Sequence, residues 1–451
     1  ELNRRLVIIY LLSFCIQIFV IIIIQIFNWT SQESINSSWF NLLMNTVEPY
    51  SDYKFWYQGF AEQFLYDDWL PYMQQIEDPS KYKNILEYIL SIIIGNRNLN
   101  FIYPPFFFYS IIIPSLISID LVFLPLLLAN LLLPFVIYKF LDNLYGKNVA
   151  EWGFMATALS PISIFYNGGL LLNTSYITLF FIIALYFTSI NRFSLATVFL
   201  SISILFKQTV VFFVLPFLVY VTLQYWKNKN DKKIISYFKS FIKHSGIIFV
   251  ITFLGSLPWI IINPKNYIES LLAEQSITFN PEFSDLAYNF PVQWYSFLIR
   301  LGAPYWLLYI LGFLTFTYIG IILIEIIVVL LLYRCYKKNT LNMIKFLDVI
   351  VYTAFLTHLF FPRGVYKYYF TFHIPLIILW LCFHFNDIIS SDRSKGSKWM
   401  LIFILVSLVI IVIPRLYYLI IIWGIIVLII RTNLNLRREQ TSLEINNSSL
   451  S

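Results

Sequence analysis

Apolar runs of about twenty residues, separated by short polar stretches, recur along most of the chain. Such runs can cross the roughly 30 Å hydrocarbon core of a bilayer as α-helices. We therefore expect an all-α membrane protein, with one polytopic domain over residues 1–430. The pattern predicts about twelve transmembrane helices, at 6–27, 121–141, 149–166, 171–190, 193–206, 209–226, 244–262, 306–332, 346–361, 370–385, 399–413 and 416–430.

The longest polar and aromatic stretch covers 28–120 and is predicted to be the first extracytoplasmic loop. It should contain amphipathic helices, one of which begins near Asp52 and runs to about Leu65. The apolar run at its end, 106–119, is short and contains Pro114, which favours a re-entrant or interfacial element. Residues 263–305 form a second predicted extracytoplasmic loop, and the tail 431–451 is expected to be disordered.

Composition supports the membrane interpretation, because 59% of the 451 residues are hydrophobic and only 12% are charged. The net charge of +7 is informative by its location. Arg4 and Arg5 precede the first apolar run, and most other lysines and arginines fall on the same predicted side, whereas more than half of the acidic residues fall on the other. This asymmetry predicts a multi-pass protein of the plasma membrane with both termini in the cytoplasm. The basic charge therefore indicates membrane orientation, and we expect no nucleic-acid partner.

Acidic and aromatic residues alternate from Glu48 to Tyr72, in a stretch with no run long enough to cross a bilayer. Carboxylates among tyrosines and tryptophans at a membrane surface suit a polyhydroxylated substrate, or a base held beside a lipid. Asp52 is the first candidate for chemistry, with Glu48 four residues earlier and Tyr53 and Trp56 close by. The alternative is that Asp52 is only a carboxylate favoured by the dipole at a helix start.

Two further candidates lie at the ends of apolar runs on the predicted outer side. Tyr103 precedes Pro104 and Pro105, which fix the backbone and set where the next helix begins; an ordinary loop-to-helix junction would look the same. Lys207 and Gln208 separate two apolar runs. A cation at such a position is costly and usually has a partner or a function, although a lysine that snorkels to the interface is an equal alternative.

Cations recur among aromatic residues before a late apolar run. Arg363 and Lys367 are four residues apart, with Tyr366 between them, so on a helix both cations would share a face and could bind a phosphate. The alternative is an interfacial anchor belt. Glu325 lies within an apolar run and must be paired, protonated or directed into a cavity.

Metal and nucleotide sites are not indicated by the remaining motifs. The four histidines show no spacing that is typical of metal ligands, and the three cysteines cannot form a disulfide framework. The chain also lacks a P-loop and a GxGxxG motif. The sequence indicates no definite cofactor, and a divalent metal is an open alternative.

Taken together and in order, these short motifs resemble those of the GT-C superfamily of polytopic glycosyltransferases. The resemblance covers most of the chain in layout but only short patches in residues. The patches are Ser51-Asp52-Tyr53, Phe101-Ile102-Tyr103-Pro104-Pro105, Ser160-Pro161 with Asn167-Gly168-Gly169, Phe206-Lys207-Gln208 through Pro216, and Tyr366-Lys367-Tyr368-Tyr369 to Pro375. The last patch is similar to an outer loop of mannosyltransferases of glycolipid-anchor synthesis. Many members have an acid shortly after the Gly-Gly turn, where this chain has Asn173.

The resemblance implies a polyprenyl-phosphate hexose as donor, such as a dolichyl-phosphate sugar, and a lipid-linked or protein glycan as acceptor. Asp52 would be the base, with Glu48 in reserve, and Lys207, Arg363 and Lys367 would bind the donor phosphate. Tyr53, Trp56, Tyr103, Gln208 and Tyr366 would bind substrate, and membrane lipid would surround the protein. A single displacement would invert the sugar carbon.

Two other functions stay open at the level of sequence. One is a transporter or flippase for a lipid-linked or polar substrate, in which the outer aromatic and acidic loops would be gates. Transporters are expected to show repeats and interrupted helices. The other is an inactive GT-C-like structural subunit.

Overall fold

The computed structural model describes residues 4–34, 57–66, 103–227, 234–264, 267–268, 298, 302–316, 319–360, 369–386, 389 and 393–412. Within these ranges the regular structure is entirely helical, which confirms the all-α prediction. The α-helices are α1 (Arg4–Ser34), α2 (Gly59–Tyr66), α3 (Pro105–Ser115), α4 (Phe123–Tyr145), α5 (Lys147–Ala158), α6 (Thr174–Ser189), α7 (Phe193–Phe206), α8 (Val214–Lys227), α9 (Ile234–Ile262), α10 (Tyr305–Phe316), α11 (Ile319–Lys337), α12 (Met343–Leu359), α13 (Phe370–His384) and α14 (Arg393–Val412).

Five helical stretches in the described part of the chain are long and apolar enough to cross a membrane. The number becomes six if one sharply bent pair counts as a single span. The stretch within α9 leaves most of its apolar surface uncovered by protein, including Ile242 and Phe249, which are 65% and 66% exposed. Side chains of this kind are stable on a surface that faces lipid, so the fold is compatible with an integral membrane protein. The figure of about twelve spans stays a prediction.

The buried core lies where α4, α6 and α13 pack together. It includes Phe140 from α4, Ile182 from α6 and Trp380 from α13, each no more than 2% exposed. The ring of Phe140 packs edge-on against Phe383 at a centroid distance of 5.9 Å.

The predicted third span is not one continuous helix, and this prediction was wrong. Helix α5 ends at Ala158, and a π-helical turn, Ser163–Gly169, follows it. Pro161 explains the break, because its ring provides no N–H donor and disfavours helical backbone at Ser160. The predicted fourth span also begins later, at Thr174, and its helix α6 is bent by 117° from the π-helical turn.

The fifth and sixth predicted spans are found with a sharp break between them. Helix α7 has the predicted bounds, and Lys207 follows it in extended backbone, with φ −157° and ψ 127°. A 3₁₀-helix, Gln208–Phe213, then leads into α8. The break therefore places Lys207 and Gln208 at a discontinuity between two helices.

Other predictions are met in part. Helix α3 has 11 residues and spans about 16 Å, which is too short for a crossing, as its prolines suggested; its depth in a membrane stays a prediction. Helix α2 matches the end of the predicted amphipathic helix, whereas the start at Asp52 lies outside the described residues. Two helices, α10 and α11, occupy the predicted eighth span. The twelfth span, the tail 431–451 and most of the loop 263–305 lie outside the described residues.

Candidate functional site

Three of the predicted site residues, Tyr103, Lys207 and Gln208, are described by the structure. The other seven lie outside the described residues: Glu48, Asp52, Tyr53, Trp56, Arg363, Tyr366 and Lys367. Their segments nevertheless connect to described neighbours. Tyr57 directly follows Trp56, and Tyr369 comes two residues after Lys367. The surroundings of Tyr57 and Tyr369 therefore show where these segments join the helical bundle.

Lys207 is buried, with only 6% of its surface exposed, and its ammonium group lies above the ring of Tyr369. The distance from Nζ to the ring centroid is 4.1 Å. A cation over an aromatic face is stabilised by the ring quadrupole, by about 2 kcal/mol or more when water is excluded. The lysine between two apolar runs is thus enclosed by protein, and Gln208 stands half-buried beside it at the start of the 3₁₀-helix.

Tyr103 packs against Tyr57 at the start of α3. Their ring centroids are 6.0 Å apart and the rings are nearly perpendicular. Phe107 lies between them in space, 4.6 Å from Tyr103 and 4.7 Å from Tyr57. Pro104 is the extended N-cap and Pro105 is the first residue of α3, so the double proline fixes where the helix begins after Tyr103. The junction therefore packs Tyr57, just before α2, against the start of α3.

Tyr57 is also joined to the turn before α6. Its side chain is completely buried, and its hydroxyl accepts a hydrogen bond from the backbone N–H of Asn173 at 3.3 Å. A buried backbone donor needs a partner of this kind. The contact ties the segment that contains the predicted acid to the segment that follows the π-helical turn.

A buried chain of hydrogen bonds continues from this turn to α13. The hydroxyl of Thr371 donates to Thr174 Oγ1 at 2.7 Å, and the hydroxyl of Thr174 donates to Asn167 Oδ1 at 2.6 Å. Because Thr174 donates to the amide oxygen of Asn167, the amide nitrogen of Asn167 is directed away from Thr174. Neither Asn167 Nδ2 nor Asn173 Nδ2 has a hydrogen-bond partner among the described residues, although both atoms are buried.

A row of aromatic rings in contact with one another connects α3 to the end of α7. Phe107 lies 6.5 Å from Tyr176 of α6, and Tyr176 stacks on Phe206 with a centroid distance of 4.6 Å. Phe206 is the last residue of α7 and directly precedes Lys207. The path from Tyr103 to Lys207 is therefore a continuous aromatic wall.

The candidate site is the region in which these contacts meet, and it draws on five separate segments of the chain. Its described members are Tyr57, Tyr103, Asn173, Lys207 and Tyr369. Sequence reasoning identified the order of these segments but missed the hydrogen-bonded pair Thr174 and Thr371. The Asn-Gly-Gly motif was the available signal for the turn, whereas Thr371, in an apolar run, gave none.

A further polar cluster supports the π-helical turn from α1. Gln17 donates to Ser13 at 3.2 Å and accepts from Asn130 of α4 at 3.0 Å, while Ser13 donates to the carbonyl of Ala158. Gly168 lies directly against Gln17, so a Cβ atom there would be 2.8 Å from Gln17 Cγ. The π-helical turn therefore packs against the side chain of Gln17, whose amide nitrogen and amide oxygen are both hydrogen-bonded.

At the opposite end of α13, a charged cluster joins this helix to α12. Asp348 accepts hydrogen bonds from Lys345 Nζ at 3.1 Å and from Trp380 Nε1 at 2.9 Å, and its other polar contact is His384 Nε2 at 2.7 Å. His384 ends α13, whereas Tyr369 precedes it. The cluster fixes the hairpin that carries Tyr369 but is remote from the candidate site.

Two other predictions concern acids and metals. Both carboxylate oxygens of Glu325 are buried and have no hydrogen-bond partner among the described residues. Of the three expected states of this acid, pairing is therefore not seen in that part of the chain. In the same residues no group of three histidine, cysteine or acidic side chains is arranged to hold a metal ion. Cys15, Cys335 and Cys382 are all free thiols.

No protein-family model, curated protein or solved structure matches the chain.

Proposed function

We propose that the protein is a membrane glycosyltransferase of the GT-C type. It moves a hexose from a polyprenyl-phosphate sugar to a lipid-linked or protein glycan at the extracytoplasmic face. The observation that carries this proposal is a set of contacts between distant segments: Tyr57 accepts a hydrogen bond from Asn173, Thr371 donates to the adjacent Thr174, and Lys207 lies over the ring of Tyr369. In the sequence, Tyr57 directly follows the segment with the proposed acid, and Tyr369 directly follows the segment with the proposed cations.

Lys207 supports the assignment of the phosphate side. Its ammonium is held in a nearly dry environment, where a fixed cation interacts with an anion far more strongly than in water. Such a group stabilises the charge that develops on a departing phosphate without rearrangement. In the proposal Arg363 and Lys367, which precede Tyr369 in the chain, complete the cationic side.

The reaction needs one base and one leaving group. The acceptor oxygen attacks the anomeric carbon, the bond from that carbon to the phosphate oxygen breaks, and polyprenyl phosphate leaves as an anion. Asp52 receives the proton of the acceptor hydroxyl, with Glu48 in reserve, and general base catalysis of this kind is typically worth about 10²- to 10⁴-fold. Because phosphate leaves as a stable anion, no general acid is required.

The amides of Asn167 and Asn173 supply the groups that hold the sugar in this proposal. Both side chains are buried, and each has N–H donors that no described residue accepts. Buried donors of this kind are costly unless an acceptor arrives. Sugar hydroxyl oxygens are suitable acceptors, and Tyr103, the partly exposed ring at one end of the aromatic wall, provides a stacking surface.

The decisive experiment is transfer by the purified protein in lipid nanodiscs. A labelled dolichyl-phosphate mannose or glucose is supplied with a panel of glycolipid and glycopeptide acceptors, and product is resolved by mass. Asp52→Asn should abolish transfer and leave thermal stability unchanged, while the matched control Asp120→Asn, at an exposed site, should retain it. Full activity of Asp52→Asn would remove this residue from the mechanism, and absence of transfer from every donor would refute the proposed function.

A transporter or flippase is the second candidate, favoured by one observation. The π-helical turn and α6 form a broken pair bent by 117°, and discontinuous helices are typical of transporter binding sites. The same purified protein, reconstituted into sealed vesicles with labelled lipid in one leaflet, separates the two functions. Transfer of sugar identifies the enzyme, whereas movement of intact lipid identifies the carrier.

A further inference from the structure

Glu325 is a lone carboxylic acid within α11, one of the helices that are long and apolar enough to cross a membrane. The next charged residue of this helix is Arg334, nine positions later. At the helical rise the two residues are about 14 Å apart along the axis, whereas half of a hydrocarbon core is about 15 Å deep. The acid therefore belongs to the apolar part of the span, and the proposed sugar transfer makes no use of it.

The carboxyl group of Glu325 lies at the edge of the packed face of α11. Ile321 and Val328, about one turn before and after it, are buried, whereas Ile322 and Ile326 on the adjacent face are exposed. Both carboxyl oxygens are nevertheless buried, so water does not reach them in this packing. The group is covered by protein, although lipid-facing side chains flank it.

Only one of the three states expected for such an acid agrees with this geometry. Neither oxygen has a hydrogen-bond partner among the described residues, which argues against pairing, and neither is accessible to water, which argues against a wet cavity. An ionised carboxylate that lacks both water and a partner is very costly at low dielectric constant, and a buried acid takes up a proton instead. The remaining state is the neutral acid.

The charged pair of the neighbouring helix α12 lies at a different depth from Glu325. Lys345 and Asp348 of α12 bind each other at 3.1 Å. At the other end of this helix, Phe360 lies directly against Gly320 of α11, which fixes the relative level of the two antiparallel helices. Counted from this contact, Asp348 is about 10 Å from the level of Glu325 along the axis. The pair therefore does not neutralise Glu325.

The other helices that pack against α11 are α8 and α10. The remaining titratable groups of the three neighbours are Tyr352 and His358 of α12, Tyr220, Tyr225 and Lys227 of α8, and Tyr305 and Tyr309 of α10. The side chain of His358 lies outside the described part of the chain. None of the described side chains in this set is hydrogen-bonded to Glu325. No described cation therefore favours the ionised form by direct contact.

We propose that Glu325 is an intramembrane proton-binding site, occupied by a proton at neutral pH when α11 is packed as in this structure. The occupied site is the neutral carboxylic acid. Its proton can leave only to water or to another base, so deprotonation requires α11 to separate from its neighbours. The site is independent of sugar transfer, so its test does not depend on the proposed enzyme.

Infrared spectroscopy of the purified full chain, in a detergent without ester groups, tests this assignment. At about pH 7 exposed aspartates and glutamates are ionised, so the C=O stretching band of a protonated carboxyl group reports a buried acid. The wild-type protein should show this band and Glu325→Gln should lose it, whereas Glu62→Gln, a matched change at an exposed residue of α2, should keep it. A wild-type spectrum without the band, or an unchanged band in Glu325→Gln, would overturn the proposal.

The pH dependence of thermal stability is a second readout of the same site. In the unfolded chain this carboxyl meets water and ionises more readily, so the folded state binds the extra proton and loses stability as the pH rises. Between about pH 5 and pH 8 the melting temperature of the wild type should therefore fall more steeply than that of Glu325→Gln, and Glu62→Gln should follow the wild type. Parallel profiles for the wild type and Glu325→Gln would refute the site. The wild-type spectrum alone can also refute it, so the test does not depend on a variant that folds.

Discussion

The ammonium nitrogen of Lys207 lies 4.1 Å from the ring centroid of Tyr369, although 161 positions, 208 to 368, separate the two residues in the chain. The contact joins the break after α7 to the start of α13. Each residue also borders a different part of the candidate site: Lys207 follows Phe206 of the aromatic wall, and Tyr369 lies two residues from Thr371. The pair therefore fixes the cation where the donor phosphate is proposed to bind.

Replacing Lys207 by methionine should abolish most of the sugar transfer while leaving the fold intact. Methionine fills a similar volume without the charge, and loss of one preorganised group opposite a developing anion typically costs about 10²- to 10³-fold in rate. Lys207→Arg should keep part of the activity because the charge remains. The measurement is the single-turnover rate, with Lys338→Met, an exposed cation at the other end of the bundle, as control. A normal rate for Lys207→Met would exclude a phosphate role.

Tyr57→Phe should destabilise the protein by about 1 to 3 kcal/mol, since it removes the acceptor of the buried Asn173 N–H. Thermal unfolding in a fixed detergent measures the effect. Tyr66→Phe makes the same chemical change at a side chain that is 74% exposed, so it should have no effect. Equal melting temperatures for the two variants would show that this hydrogen bond does not hold the first loop to the bundle.

Gly168→Ala should cost about 1 to 3 kcal/mol of stability through overpacking. The added Cβ would lie 2.8 Å from Gln17 Cγ, and Gln17 is held by Ser13 and Asn130, so it cannot move away without losing hydrogen bonds. The control is Gly246→Ala in α9, where a Cβ meets nothing within 4 Å. That change should be neutral or stabilising by up to about 1 kcal/mol. A stable Gly168→Ala protein would mean that the turn has room to relax.

Asp348→Asn should destabilise the hairpin of α12 and α13. The carboxylate is 13% exposed and Lys345 is 24% exposed. We expect a loss of about 2 to 3 kcal/mol, below the usual range for a fully buried pair because solvent screens the lysine. Asp142→Asn, at a carboxylate with no ion-pair partner among the described residues, is the matched control. A double-mutant cycle of Asp348→Asn and His384→Phe should show a coupling free energy between the two residues. Additive changes in stability would show that the two side chains do not stabilise each other.

The predicted orientation can be tested with single cysteines in a background without Cys15, Cys335 and Cys382. A membrane-impermeant maleimide should label Tyr66→Cys in intact cells. It should label Lys338→Cys only after permeabilisation, because the charge pattern assigns this residue to the cytoplasm. Both side chains are exposed in the structure. Labelling of both positions, or of neither, in intact cells would refute the predicted topology.

The helices could be predicted from sequence wherever apolar runs had clear polar ends. The run 193–206 ends at Lys207, and α7 has the same bounds. The prediction failed at 149–166, since hydropathy reports composition and not backbone continuity. Pro161 was visible there, yet a proline can either kink a helix or end it, and only the packing around Ser160 and Ala158 decides which.

The candidate site was predictable as a set of segments but not as a geometry. Lys207 was singled out because a cation is costly between apolar runs, and the structure supplies its aromatic partner. Thr371 could not be identified, because a threonine in an apolar helix usually donates to its own backbone, as Thr178 and Thr188 do. Its bond to Thr174 depends on the rotation of α13 against α6, which no local pattern encodes.

The π-helical turn makes the number of residues between Ser160 and Thr174 matter in addition to their identity. Removal of one residue would convert the turn toward α-helical geometry and rotate the residues that follow it by about 100° about the axis of the turn. Thr174 would then face away from Thr371 and Asn167. A single-residue deletion in this stretch should therefore be poorly tolerated, whereas a connection between two helices usually accepts changes in its length.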